Sequence, residues 1–199
     1  MVEPRFCASL AGRTTGELQA ELESLPSGIG LVEFRADRLH PETWRSDAWV
    51  NLFAERDWVF TWRSPEEGGD APPPADVYRR GLEAGARWID VEAARLERGG
   101  EAATVPAEQR WVSCHRPDAA GLPEGWNARQ KHAGALHKLV ATARSLAEAD
   151  QVLQLQEAAD PTRPHTIFAQ GWPGHGSRVL GAARGNAITF VTAAGDAAV

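Results

Sequence analysis

Short apolar runs alternate with helix-like stretches along the whole chain. Runs rich in Val, Ile, Leu, Phe and Trp, bounded by Gly, Pro or polar residues, predict strands over 5–10, 30–35, 58–63, 88–92, 111–115, 136–142, 166–170 and 187–192. Between them, helical patterns cover 15–25, 42–55, 75–84, 127–133, 146–159 and 177–183. The interval 93–110 is less regular and is read as holding only a short helix. Pro/Gly-rich stretches such as Gly68-Gly69-Asp70-Ala71-Pro72-Pro73-Pro74 are loops between units, not linkers between domains.

Strict strand-then-helix order implies a parallel sheet with right-handed crossovers. Eight such units predict an α/β fold of the (β/α)8 TIM-barrel type, formed as a single domain over 1–199. The length lies at the bottom of the range of about 200 to 400 residues for that class. Residues 193–199 are too few for a proper eighth helix, so the expectation is a barrel whose eighth helix is missing. Ile188 and Phe190, or Val191 on the opposite face, should then have less cover than other strands, favouring self-association, and a homodimer is one outcome.

Composition narrows the partners. The net charge of -6 argues against a nucleic-acid surface. The longest apolar runs are strand-sized, so no membrane span is expected, and 1–5 lacks the apolar region of a secretory signal. Cys7 and Cys114 fall in apolar strand-like runs and read as small core residues in a reducing compartment. A cytoplasmic location fits these features. The 8 Trp are read mainly as packing residues.

The strands carry charge at alternate positions, where a purely structural interior would be aliphatic. Glu33, Arg35 and Asp37 share one strand face, Thr61 and Arg63 another, Asp90 and Glu92 a third, Ser113 and His115 a fourth, and Leu136, Lys138 and Val140 a fifth. The charges cluster at C-terminal strand ends, where barrel active sites lie. Of 21 basic residues only Lys131 and Lys138 are lysine. Lys131 sits in a polar helical stretch and reads as solvated. Lys138 lies in Ala135-Leu136-His137-Lys138-Leu139-Val140-Ala141, a buried strand. A buried ammonium is costly unless paired or neutralised, and a neutral amine attacks carbonyls as arginine cannot. A lysine that snorkels from a strand end is the plainer alternative. Glu33 with Arg35 could be a structural ion pair, His115 a core histidine, and Asp90 and Glu92 holders of cations. A converging lysine, histidine, carboxylates and arginines are nevertheless expensive to bury for stability alone. No metal is expected: there is no His-Glu-x-x-His or Cys-x-x-Cys, and His132 and His137 are poorly spaced. Gly171-Trp172-Pro173-Gly174-His175-Gly176-Ser177-Arg178 lacks a P-loop lysine; its amides and Arg178 could take an anion such as a carboxylate, or it could be a flexible turn.

The ordered motifs resemble the type I 3-dehydroquinate dehydratases, Schiff-base lyases of the shikimate pathway. They are Ser9-Leu10-Ala11-Gly12-Arg13-Thr14, Glu33-Phe34-Arg35-Ala36-Asp37, Arg63-Ser64-Pro65-Glu66-Glu67-Gly68-Gly69, Asp90-Val91-Glu92, Ser113-Cys114-His115, Lys138 and Ser177-Arg178. The resemblance implies an imine at Lys138, a general acid–base His115 and a supporting Glu67. It implies substrate binding by Ser9, Glu33, Arg35, Arg63 and Arg178, with no cofactor. The family's lid serine would fall at Ala197, and its lid glutamine has no counterpart. Two alternatives stay open: another class I Schiff-base barrel lyase or aldolase, and a non-catalytic or weakly active relative that binds a small polyhydroxy acid.

Overall fold

The computed structural model describes residues 5–116, 118–119 and 122–192; Ala197 lies outside them. In chain order the elements are β1 (Arg5–Leu10), α1 (Thr15–Ser24), β2 (Leu31–Arg35), α2 (Pro41–Ser46), β3 (Asp57–Thr61), α3 (Val77–Glu83), β4 (Trp88–Glu92), α4 (Ala93–Arg98), α5 (Glu101–Thr104), β5 (Arg110–Arg116), α6 (Leu122–Gln130), β6 (Leu136–Thr142), α7 (Leu146–Ala158), β7 (His165–Gln170), α8 (His175–Ala183) and β8 (Ile188–Thr192). The strand order is β7-β6-β5-β4-β3-β2-β1-β8. The pairs β1–β2, β2–β3, β3–β4, β5–β6 and β6–β7 are parallel. The chain divides into two compact units, one comprising 6–90 with 190–192, the other residue 5 with 91–189.

In the first unit, alternation along β2 and β3 sends Val32, Phe34, Trp58 and Phe60 to one face and Glu33, Arg35, Val59 and Thr61 to the other. The apolar face packs on rings. The Phe34 ring centroid lies 5.2 Å from Trp49, 4.9 Å from Phe53 and 6.0 Å from Phe60. Trp44 stacks on Trp49 at 5.3 Å, and Arg80 Cζ lies 3.8 Å over Trp44. α1 starts with a capping box: Thr14 accepts from Glu17 N while the Glu17 carboxylate accepts from Thr14 N.

In the second unit, Cys114, Leu139, Ala141, Ile167 and Ala169 form the apolar face of β5–β7. They pack with Leu122 of α6 and Ala149 and Val152 of α7. By alternation Ser113, His115, Lys138, Val140, Thr166 and Phe168 occupy the opposite face. α7 is capped by Ser145, which accepts from Glu148 N.

Several expected elements are changed. The helix expected over 42–55 stops at Ser46, because Asp47 adopts a left-handed conformation with φ 54°; a 3-10 turn, Val50–Phe53, follows. The interval 93–110 holds α4, α5 and a 3-10 turn rather than one short helix. α6 begins at Leu122 instead of 127 and ends before Lys131. β3 ends at Thr61, so Arg63 stands just beyond the strand. The expected thin cover over β8 is not found at Ile188 and Phe190, which are 5% and 7% exposed, whereas Val191 on the opposite face is only half-buried. The large exposed apolar side chains among the described residues are Phe6, Leu146, Trp172, Val179 and Leu180, so Trp172 is not a packing residue. Cys7 and Cys114 are buried thiols, and among the described residues no helix is long and apolar enough to cross a membrane.

Phe34 is fully buried at the centre of the aromatic cluster. Phe34→Ala is expected to lower the free energy of unfolding by about 3–5 kcal/mol. Denaturant titration checks this; a loss below about 1 kcal/mol would show that the cluster does not carry this unit's core.

Candidate active site

The first unit carries a ladder of buried polar groups on the face of β1–β3 opposite its aromatic core. Glu33, 4% exposed, is its centre. Ser9 Oγ donates to Glu33 Oε2 at 2.9 Å, and Thr61 Oγ1 donates to Glu33 Oε1 at 3.1 Å. Arg35 is held by Asp37 rather than only by Glu33. Its Nε and Nη2 donate to the two carboxylate oxygens of Asp37 at 2.8 and 2.7 Å, the side-on fork that suits a carboxylate. Burial works against the Arg35 charge, but the Asp37 hydrogen bonds and charge, with help from Glu33, outweigh it and raise its pKa above the ordinary guanidinium value.

Arg63, 3% exposed, lies between two carboxylates: Nη2 is 3.1 Å from Asp90 Oδ1 and Nη1 is 3.3 Å from Glu67 Oε2. Asp90 therefore holds a cation, as does Glu92, whose Oε2 lies 3.3 Å from Arg95 Nε. Glu67 ends the 3-10 turn Pro65–Glu67, which is tied down by Glu67 N and Gly69 N, both donating to Ser64 O. A Cβ on Gly69 would collide with the carbonyl oxygen of Arg63, so this position requires glycine. Asp70 then bridges outward to Arg38 at 2.8 Å and Arg13 at 3.7 Å.

The second unit carries His115, Lys138 and Arg178. Register places Ser113, Lys138 and Thr166 in one layer across β5–β7, and His115, Val140 and Phe168 in the next, two residues nearer the C-terminal ends. That spacing is about 7 Å along a strand. Lys138 is 3% exposed and Ser113 and Thr166 are fully buried, whereas His115 is only half-buried. Thr166 Oγ1 donates to Ile188 O and accepts from Ile188 N, which spends its hydroxyl on the neighbouring backbone. Lys131, by contrast, is exposed and lies 3.9 Å from Glu97.

Arg178 projects from the first turn of α8, with its Cζ 4.8 Å from the Phe168 ring centroid. Its Nε and Nη2 are buried and have no hydrogen-bond partner among the described residues. These two groups form the same guanidinium edge that Arg35 gives to Asp37. Burial pushes the Arg178 pKa down from its usual value, so an anion on that edge would be favoured by charge and geometry together.

The glycine-rich segment before Arg178 is tied to β7 through Ser177. Ser177 does not cap α8. It lies inside the helix, accepts from Ala169 N at 2.8 Å and donates to Gly174 O at 2.6 Å. Phe168 is an addition to the residues expected from the sequence, and its place on the face shared with Thr166 and Gln170 is the signal that marks it. Among the described residues no group of three or more His, Cys, Asp or Glu could hold a metal ion, and His137 Nε2 lies 3.1 Å from the carbonyl oxygen of His132.

Residues 6–199 match the family model for type I 3-dehydroquinase. The curated 3-dehydroquinate dehydratase of Pyrobaculum aerophilum is 32% identical over 197 residues, covering 94% of this chain and 63% of that protein. This chain thus spans less than two thirds of that relative's length. A solved type I 3-dehydroquinate dehydratase from Clostridium difficile, with covalently modified comenic acid, superposes with a TM-score of 0.79 at 19% identity, covering 100% of this chain and 87% of that one. The 3-dehydroquinate dehydratase of Geobacillus kaustophilus superposes at 0.76 with 24% identity, covering 98% and 85%. These superpositions show that the fold is the (β/α)8 TIM type expected from the strand–helix alternation.

Glu33 gives a test of the ladder that is independent of any activity. Thr61→Val keeps the side-chain shape but removes a hydroxyl donor from a buried carboxylate. We expect a loss of about 1.5–3 kcal/mol in unfolding free energy, the usual worth of a hydrogen bond to a charged group. An unchanged denaturation midpoint would mean that Thr61 does not support Glu33.

Proposed function

Since this chain belongs to the type I 3-dehydroquinase family, we propose that it removes water from 3-dehydroquinate to give 3-dehydroshikimate through an imine on Lys138. The observation that carries this reading is the stack in the second unit: a buried lysine, a half-buried histidine one layer above it, and the Arg178 edge over Phe168, unpartnered among the described residues.

In this reading the Lys138 amine attacks the C3 ketone and expels water to form an iminium. The iminium draws electrons from C2 and acidifies its proton, which His115 removes to leave an enamine. The enamine expels the C1 hydroxyl, which leaves as water with the proton that His115 returns. Hydrolysis of the imine restores Lys138 and the catalytic cycle adds no other reactant. A general acid–base group of this kind typically contributes about 10²–10⁴-fold to the rate.

The edge of Arg178 is the partner for the substrate carboxylate, by the fork geometry that Arg35 and Asp37 display in the same protein. The roles that the family resemblance implies for Ser9, Glu33, Arg35, Arg63 and Glu67 belong to the same proposal. The lysine also serves as the electrophilic catalyst, so the scheme requires no cofactor.

Treatment with 3-dehydroquinate and borohydride, followed by peptide mass spectrometry, should find the reduced adduct on Lys138. Lys138→Arg keeps the charge and should lose adduct and turnover alike, because a guanidinium does not form the imine. His115→Ala should still trap the adduct while turnover falls by about 10²–10⁴-fold. An adduct on Lys131, or none, would sink the mechanism; an adduct on Lys138 without product release would identify a binding relative instead.

A further inference from the structure

Arg35 and Arg178 are both arginines in substantially buried settings, but they are stabilised in opposite ways. The Nε–Nη2 edge of Arg35 is consumed by Asp37, which lies within hydrogen-bond distance of both nitrogens. Arg178 has no such carboxylate among the described residues. What lies against it is the ring of Phe168, 5% exposed, with Arg178 Cζ 4.8 Å from the centroid. An aromatic face attracts a cation through its quadrupole and accepts no conventional hydrogen bond from the guanidinium edge. It therefore offsets part of the cost of burying the charge and leaves the N–H groups of the edge unspent.

The geometry points to Phe168 as a positioning residue for anion binding: its ring fixes the plane of the Arg178 guanidinium and keeps the Nε–Nη2 edge available for a carboxylate of the substrate. This inference rests on the reading that Arg178 binds that carboxylate. It adds a residue that acts through the arginine.

The surroundings explain why an aromatic residue suits this position. Phe168 is anchored by strand register, opposite Val140 of β6, so its ring stays put while α8 carries the arginine to it. An aliphatic residue would fill the space but supply no quadrupole. An acidic residue would stabilise the cation more strongly and would occupy the edge, as Asp37 does for Arg35. Burial already lowers the Arg178 pKa, so the ring supports the charge without competing for it.

The test compares Phe168→Leu, Phe168→Tyr and Arg178→Ala by steady-state kinetics, thermal melting and the side-chain Nε–H resonance of Arg178. A ring 4.8 Å from Cζ should displace that resonance by its ring current. Phe168→Leu should raise KM by about 3- to 30-fold, the range implied by a partly buried cation–π contact, with kcat within about twofold and melting little changed. It should also move the Nε–H resonance, while Phe168→Tyr restores both KM and resonance. In an Arg178→Ala background, Phe168→Leu should add nothing to KM. Loss of melting temperature with equal effects in both backgrounds would show a packing role and overturn the proposal. So would a Phe168→Leu protein with unchanged KM and resonance while Arg178→Ala raises KM. If Phe168→Leu moves the resonance but neither variant alters KM, the contact stands and the carboxylate reading is the part that fails.

Discussion

Burying charge on strand faces that turn away from the helices is the constraint on which this structure rests. An isolated ion in such a place costs several kcal/mol even after relaxation, so each one must find compensation nearby. In the first unit compensation comes from opposite charges and hydroxyls: Asp37 takes the edge of Arg35, Asp90 and Glu67 share Arg63, and Ser9 and Thr61 donate to Glu33. In the second unit the same kind of face holds a lysine and a histidine, while the arginine comes from α8 and lies against the ring of Phe168 on that face. The contrast separates cations fixed by carboxylates from one that lies against a ring.

That division was only partly legible in the chain. The alternation of charge with apolar residues on Glu33-Phe34-Arg35 and Ser113-Cys114-His115 is a period-two signal, and strands obey it whatever their tertiary partners are. The burial of Lys138 followed from the apolar residues around it. Partner choice did not follow. Glu33 and Arg35 share a strand face, which made them look like a pair, yet the short turn after β2 returns Asp37 to Arg35 with better fork geometry. The distinction depends on backbone dihedrals that no pattern of side chains encodes.

Helix boundaries failed for a similar reason. Trp44, Trp49 and Phe53 all look like core residues of one helix over 42–55. In a continuous α-helix, residues five apart lie about 140° from one another around the axis, so Trp44 and Trp49 could not stack. The left-handed conformation of Asp47 breaks the helix and brings their rings to 5.3 Å. Pro123 and Gly125 look like loop residues, which hides the start of α6 in the sequence. A proline is tolerated in a first helical turn. Gly125 lets the helix approach β5 and β6 closely: a Cβ there would meet Cys114 Sγ and Leu139 Cδ1, each at 3.1 Å. Turn signals and close-packing signals are the same residue types, and only the tertiary neighbour tells them apart.

The placement of Arg178 shows how a cation can be located without charged neighbours to locate it. α8 is fastened to β7 by neutral groups. Gln156 Nε2 donates to Ile167 O at 2.5 Å and Ser177 O at 3.0 Å, while Asn186 donates to Ile167 O and accepts from Ile167 N. Ser177 Oγ adds its bonds to Ala169 N and Gly174 O. Neutral amides and hydroxyls are far less costly to bury than ions when their hydrogen bonds are made. They also exert little net field on a guanidinium in the next residue. An ionic fastening would have fixed α8 equally well, but its carboxylate would compete for the edge that Arg178 presents. Building the attachment of α8 to β7 from Gln, Asn and Ser, with the Phe168 ring against the guanidinium, places Arg178 without a carboxylate beside it among the described residues.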